Sequence, residues 1–146
     1  MRFLLDTCAI SELIKPAPDP GVLEWFAQQD ELSLYLSALS LGELKRGIEK
    51  LSAGKRKTFL QKWLAENVIQ RFSDRVLPLD RNICLRWGEM QAQPEKQGKP
   101  MPMPMPAIDG LIAATALQHQ LTVVTRNSKD MEASGVAPLN PWVART

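Results

Sequence analysis

Four acidic residues stand at points where the chain passes from one apolar or helical segment to the next. Two follow runs predicted as strands, and two lie near the start of helical patterns. If folding brings them together, their carboxylates repel one another, and a hard divalent cation relieves that repulsion through oxygen ligation. The pattern therefore predicts a site for Mg²⁺ or Mn²⁺ formed by Asp6, Glu43, Asp109 and Asp130.

Short apolar runs alternate with helical patterns, which is typical of an α/β domain with a mainly parallel sheet. Ligands of such sheets lie beyond the carboxyl ends of the strands, so all four acids can face one edge. Helices are predicted between Asp6 and Pro16 and around 22–26, 40–51, 55–70, 80–90 and 106–117. The predicted strands are Phe3–Leu5, Leu32–Leu39, Val76–Leu79 and Leu121–Thr125, with Pro138–Trp142 as a weak last strand or tail.

Each acid also has an ordinary structural interpretation. Asp6 can cap a helix, Ser40 and Glu43 fit a capping box, Asp109 suits a helix N-terminus, and Asp130 suits a turn. Two observations favour the metal site. Asp109 precedes a helix too apolar for the surface, so its carboxylate is partly desolvated and needs a partner. The acids also come from separate elements, as in a site assembled by folding.

Length and composition indicate one ordinary globular domain over residues 1–146. The chain is 45% hydrophobic and 23% charged, and its net charge of +2 is too small to identify a nucleic-acid-binding protein. Neither a signal peptide nor an apolar run long enough to cross a membrane is recognisable. We expect a cytoplasmic protein with reduced cysteines and no membrane association, in which Cys8 is a small buried side chain.

Other polar residues leave two interpretations open. His119 is the only histidine, and a surface position suits it better than catalysis, since histidine ribonucleases commonly use two. A basic cluster between the second and third predicted helices is either a solvated surface or a phosphate-binding patch for RNA. It consists of Lys45, Arg46, Lys50, Lys55, Arg56, Lys57 and Lys62.

Several segments, in order along nearly the whole chain, resemble PIN-domain ribonucleases of the VapC type, the toxin half of bacterial toxin–antitoxin pairs. One departure is the Met-Pro repeat at 100–106, since the family usually has a shorter approach to the Asp109 segment. The matching segments are Leu4–Thr7 with Ser11–Leu13, Ser40–Leu44 with Gly47-Ile48, Ile108–Ala116, and Val124–Asn127 with Asp130.

The resemblance implies a PIN-like three-layer fold, with a mainly parallel sheet of four to five strands flanked by helices. It implies a metal-dependent endoribonuclease that hydrolyses single-stranded or loop RNA with water activated by Mg²⁺ or Mn²⁺. Asp6 and Asp109 would be metal ligands, Glu43 a further ligand or the base, and Asp130 a second-site or outer ligand. Supporting polar groups would be Thr7, Thr125 and Asn127.

The resemblance also implies partners. These are a cognate antitoxin, a second copy in a homodimer, and a larger hetero-oligomer with the antitoxin. The amphipathic stretches Val22–Phe26 and Leu44–Leu51 could dock the antitoxin or face the core, and the sequence leaves both open.

Three other functions were weighed. A non-catalytic nucleic-acid or protein-binding module on the same fold would bind RNA without cutting it. A receiver-like phosphoacceptor domain would need a lysine after a later strand, where this chain has Arg126. A nucleotide-binding enzyme would show a glycine-rich phosphate motif, and none is recognisable.

Overall fold

The structure, a computed structural model, describes residues 1–96 and 106–142, with side chains described for 1–92 and 106–142. Most of the Met-Pro repeat, residues 100–105, lies outside the described part. The strands are β1 (Phe3–Leu5), β2 (Leu34–Ser37), β3 (Val76–Leu77), β4 (Thr122–Val124) and β5 (Pro138–Leu139). The helices are α1 (Thr7–Glu12), α2 (Pro20–Gln28), α3 (Ala38–Glu49), α4 (Lys55–Trp63), α5 (Arg81–Lys96), α6 (Ala107–His119) and α7 (Ser128–Ala133).

The five strands form one sheet in the order β3-β2-β1-β4-β5, and every pairing is parallel. This confirms the predicted α/β class and the parallel sheet of four to five strands. The weak last segment is a genuine edge strand, because Pro138 and Leu139 pair with Val123 and Val124. An edge strand tolerates a proline, since one of its sides needs no ladder hydrogen bond.

Helices cover both faces of the sheet. Side chains alternate along β1, so Phe3 and Leu5 join one apolar cluster while Leu4 joins the other. The first cluster also buries Trp25 of α2 and Ile48 of α3. The inner faces of Val22–Phe26 and Leu44–Leu51 are therefore core, and this favours the core interpretation over antitoxin docking. Within the described residues, no helix is both long and apolar enough to cross a lipid bilayer.

Two predicted boundaries were wrong. The alternating pattern predicted a strand from Leu32, but Glu31–Ser33 form a 3₁₀ turn in which Leu32 is 71% exposed. Helix α3 begins at Ala38 because the Ser37 side chain accepts a hydrogen bond from the Leu39 N–H and caps it there. Ser40 is consequently buried inside the helix, and the Ser40–Glu43 capping box does not form.

The helix predicted over 55–70 is continuous but not uniform. Its second half, Leu64–Gln70, follows α4 as a π-helical segment, which is a rare form in proteins. Leu64 and Val68 of this segment are buried against the core. The π-helical segment leads to a 3₁₀ turn, Ser73–Arg75, which precedes the edge strand β3.

A buried arginine joins this turn to β2. The Arg75 guanidinium donates to the backbone carbonyls of Glu31, Leu34 and Arg71, and it also pairs with the Glu31 carboxylate. Arg71 donates two hydrogen bonds to the same carboxylate. The Arg71 side chain is the main cause that lowers the pKa of Glu31, and burial opposes it only in part.

We expect Arg75→Met to lower the free energy of unfolding by about 3 kcal/mol, because three carbonyls lose their donor inside the fold. Arg71→Met is the control, since Arg71 is more exposed and should cost less than about 1 kcal/mol. Urea denaturation of both variants measures the difference. Because the folded state lowers the pKa of Glu31, its stabilisation is present at neutral pH and disappears as pH falls through that lowered value. Equal losses in the two variants would contradict the assignment.

Candidate active site

Asp6 is fixed at the carboxyl end of β1 by hydrogen bonds to both of its oxygens. Oδ1 accepts from the Thr7 N–H at 2.8 Å, and Oδ2 accepts from the Thr125 hydroxyl at 2.8 Å. Thr125 lies beside it because β1 and β4 pair in register through Leu5 and Val124. Asp6 is only 8% exposed, so this carboxylate is largely immobilised by neighbouring elements.

Glu43 reaches the same edge from α3. Its Oε1 accepts a hydrogen bond from the Thr7 hydroxyl at 2.6 Å. Thr7 therefore contacts two acids at once, through its backbone N–H to Asp6 and through its side chain to Glu43. Oε2 of Glu43 has no hydrogen-bond partner among the described residues. The Thr7 bond holds the carboxylate while leaving one oxygen for other chemistry.

Asp109 lies in the first turn of α6 and is half-buried. Burial raises the pKa of its carboxyl most, and the negative charges of Asp6, Glu43 and Asp130 raise that pKa further. Four acids that are far apart in sequence therefore act on one carboxylate. The predicted desolvation of Asp109 at the start of an apolar helix agrees with this geometry.

Close packing between α5 and α6 sets the position of Asp109. Gly110 is buried, and a Cβ atom at that position would lie 2.8 Å from Gln91 Nε2 and 2.9 Å from Trp87 Nε1. Neither Trp87 nor Gln91 was singled out by the sequence pattern. The detectable signal was a glycine next to an acid within an apolar helix, since an interior glycine often marks close approach of another element.

The remaining predicted residues occupy the periphery of this edge. Asp130 is exposed in α7, and it affects the site through its charge on Asp109. Asn127 precedes α7, and its backbone N–H donates to the Thr125 hydroxyl at 3.0 Å. Its side chain is exposed and does not cap the helix. Asn127 thus supports Thr125, and through it Asp6, by its backbone alone.

Cys8 and His119 do not match a nucleophile or a base here. Cys8 is half-buried, with Sγ 3.7 Å from Asp6 Oδ2 and 3.8 Å from Thr125 Oγ1. Burial and the Asp6 charge raise the pKa of this thiol, so it stays protonated and unreactive. His119 lies at the far end of α6 from Asp109, about 15 Å away along the helix axis. It is half-buried rather than at the surface, where the sequence suggested it.

The donor set suits a hard cation in chemistry and in charge. All four acids offer carboxylate oxygens, the ligands that Mg²⁺ and Mn²⁺ prefer. Their mutual effect on the pKa of Asp109 is the repulsion that a bound cation would relieve. Within the part of the chain that the structure describes, however, no three acidic, histidine or cysteine side chains are grouped closely enough to hold an ion. The carboxylates thus interact without already forming a coordination shell.

Comparison with known proteins identifies a family. Residues 3–133 match the PIN domain. The chain is 40% identical over 139 residues to VapC ribonuclease Y4jK of Sinorhizobium fredii, covering 95% of this chain and 96% of that protein. It is 37% identical over 139 residues to toxin FitB of Neisseria gonorrhoeae, covering 95% and 97%. A solved structure of FitAB bound to an IR36 DNA fragment contains a similar chain, with a TM-score of 0.90, 34% identity, and coverage of 99% and 98%.

Gly110→Ala should lower the free energy of unfolding by about 1–3 kcal/mol, because its methyl group would overlap Trp87 and Gln91. Gly88→Ala on the opposing helix α5 is the matched control. A Cβ there meets nothing within 4 Å, so we expect a gain of about 0.5–1 kcal/mol. Denaturant unfolding measures both. A neutral Gly110→Ala variant would show that α5 does not constrain the start of α6.

Asp109→Asn should raise the free energy of unfolding by up to about 1 kcal/mol in metal-free buffer at neutral pH. The raised pKa means that the charged form destabilises the fold, a penalty present above the folded pKa and absent below the ordinary value. The gain should therefore vanish on acidification. Asp6→Asn should instead cost about 1 kcal/mol, because Oδ2 loses its bond from Thr125. Thermal unfolding from pH 4 to pH 7 tests the contrast, and a destabilised Asp109→Asn variant would refute it.

Proposed function

Because the chain belongs to the PIN-domain family, as a VapC-type ribonuclease toxin, we propose that it hydrolyses RNA with Mg²⁺ or Mn²⁺ held by Asp6, Glu43, Asp109 and Asp130. The observation that carries this proposal is the raised pKa of Asp109 under the combined charge of the other three acids. A fold gains nothing from concentrating negative charge at one edge of its sheet. The arrangement becomes favourable once a cation is bound there.

Each side chain has a role that its contacts support. Asp6, with both oxygens fixed by Thr7 and Thr125, is a preorganised metal ligand. Asp109, desolvated and repelled by its neighbours, is the acid that gains most from ligation. Asp130 is exposed enough to act as an outer or second-site ligand. When bound, the cation supplies a more acidic water and charge compensation at the phosphate oxygens.

Glu43 is placed to accept the proton of the attacking water. Thr7 anchors Oε1, which leaves Oε2 available as the base. Water then forms a bond to phosphorus, the bond from phosphorus to the leaving ribose oxygen breaks, and that oxygen takes up a proton. Loss of the Thr7 hydroxyl would release the Glu43 carboxylate from this orientation. Single-stranded or loop RNA is the substrate class that fits an edge of the sheet open to solvent.

A small antitoxin is the partner that we propose for this toxin. The similar toxin FitB occurs in a FitAB assembly on DNA. A cavity of about 350 Å³ lies between α1 and the π-helical segment, with Ile10, Leu13 and Trp63 in its lining and Glu66 and Arg71 beside them. Apolar lining next to charged groups suits an amphipathic segment of a partner. A basic antitoxin side chain in the acidic pocket would compete with the cation. A homodimer and a larger hetero-oligomer remain predictions.

A non-catalytic binding module is the second candidate. It would need a surface for RNA or protein but no immobilised carboxylates. The two threonine hydroxyls that hold Asp6 and Glu43 are specific to carboxylate orientation, and this favours the enzyme. A module of this kind would bind RNA in the presence of Mg²⁺ and leave it intact.

We expect the purified protein to cut total bacterial RNA in Mg²⁺ or Mn²⁺ and to lose activity in excess EDTA. Asp109→Asn should reduce cleavage at least about 100-fold, because the cation loses a ligand worth several kcal/mol at the transition state. Glu132→Gln is the control, since Glu132 is exposed on the same helix as Asp130. Sequencing of the RNA ends then names the target.

Mg²⁺ should also raise the unfolding temperature of the unaltered protein and have a smaller effect on Asp109→Asn. This readout does not depend on having the right RNA. Equal cleavage with and without EDTA would end the metal assignment. Tight RNA binding without any cleavage would favour the non-catalytic module.

A further inference from the structure

Two basic residues of α3 lie next to Glu43 and have no partner of their own. The structure divides the basic cluster into two groups. Lys45 and Lys57 bond to Glu49, and the Arg56 side chain donates to the Ile14 carbonyl. Within the described residues, Arg46 and Lys50 form no ion pair and no side-chain hydrogen bond. Their charges are therefore available to a ligand.

The two free cations line a groove that begins at the candidate active site. A cavity of about 130 Å³ is bordered by Glu43, Arg46, Gly47 and Lys50. Spacings of three, four and seven residues place these side chains on one face of α3. The groove therefore has an acid of the catalytic site at one end and positive charge along the rest of its length. Because α3 is a regular helix, this order of charges is fixed.

Gly47 keeps the floor of the groove low. It lies in the interior of α3, is exposed, and would have nothing within 4 Å of an added Cβ. Among the described glycines, only Gly135 has a positive φ, so backbone conformation does not require glycine at position 47. A glycine in an exposed helix interior weakens the helix relative to alanine. The packing of this chain offers no compensation for that weakening, which points to a ligand that approaches the backbone.

We propose that the groove formed by Glu43, Arg46, Gly47 and Lys50 binds an RNA phosphate that flanks the scissile bond. This inference rests on the proposed function, because it gives a substrate subsite to the same active site. Arginine offers a planar pair of donors that matches phosphate oxygens, and lysine adds a mobile positive charge. The low floor over Gly47 lets the sugar–phosphate backbone lie against the helix. Binding here would place the neighbouring phosphodiester at the carboxylates.

RNA fits this groove better than an acidic protein segment does. Glu43 lies at its inner end and repels a carboxylate, whereas a phosphodiester chain continues from the groove onto a cation held by the acids. The alternative without a ligand is that Arg46 and Lys50 merely compensate the negative end of the α3 dipole. The two explanations differ in what salt and substitution should do to RNA affinity.

The first test compares two double substitutions in the inactive Asp109→Asn background. Arg46→Gln with Lys50→Gln removes the groove charges, and Lys55→Gln with Lys62→Gln removes the same charge from exposed positions outside the cavity. Affinity for a labelled single-stranded RNA is measured by fluorescence anisotropy at several salt concentrations with Mg²⁺. Loss of two phosphate contacts should reduce the slope of log affinity against log salt by about 1.4, at about 0.7 per contact. The control pair should leave the slope nearly unchanged.

The second test uses the glycine. Gly47→Ala should raise the unfolding temperature, because alanine favours helix, and yet weaken RNA binding severalfold and raise KM more than it lowers kcat. Gly42→Ala is the matched control, since Gly42 is also exposed in α3 with no atom near an added Cβ. Positions five apart lie on different faces, so this variant should gain stability and keep RNA binding.

Several outcomes would overturn the groove. Equal salt slopes for the two double variants would assign Arg46 and Lys50 to general charge or to the helix dipole. A Gly47→Ala variant that binds RNA normally but loses antitoxin would assign the surface to a protein partner. Failure of the unaltered protein to cut RNA with Mg²⁺ or Mn²⁺ would refute the proposed catalysis, whereas a persisting slope difference would still support the RNA groove.

Discussion

Repulsion between carboxylates at one edge of the sheet is the constraint around which this structure is organised. The fold meets it unequally. Thr7 and Thr125 stabilise Asp6 and Glu43 with short hydrogen bonds, so both can remain charged beside each other. The part of the chain that the structure describes shows no such bond for Asp109, and it is this acid whose pKa rises. Hydrogen bonds thus fix the centre of the pocket, and the unrelieved charge is concentrated on α6.

The parallel sheet explains why the acids meet. β1 lies at the centre of the strand order, with β2 on one side and β4 on the other. The carboxyl ends of these three strands lie at the same edge, so Asp6, the start of α3 and Thr125 become neighbours without long loops. Asp109 arrives by a different route, because α6 precedes β4 and approaches the edge through packing on α5. Its position depends on a side-chain contact at Gly110, whereas Asp6 depends on strand register.

The sequence predicted the acids and the parallel fold because both depend on local signals. An apolar run ending in Asp6 and a β-branched run ending in Thr125 are visible in the chain itself. The start of α3 was misplaced, because Ser37 and Ser40 are equally good caps and only the end of β2 decides between them. The basic cluster could not be divided, since the pairing of Lys45 and Lys57 with Glu49 depends on how α3 and α4 pack. Trp87 was recognised as apolar, but its contact with Gly110 joins two helices and leaves no periodic signal.

Opposite charges along α3 connect cation binding to RNA binding. Without a cation, Glu43 and the neighbouring acids repel a phosphate at the inner end of the groove, and Arg46 and Lys50 attract one only a turn or two away. A bound cation reverses the sign at the inner end, so the whole path becomes attractive to a polyanion. Each ligand should then strengthen the other, since coupling between two binding sites is reciprocal. A basic side chain from an antitoxin could satisfy the same acids without opening that path, because it supplies charge but also fills the space that the phosphate needs. Inhibition of this kind requires no change in the fold, only competition for the charge that the four carboxylates concentrate.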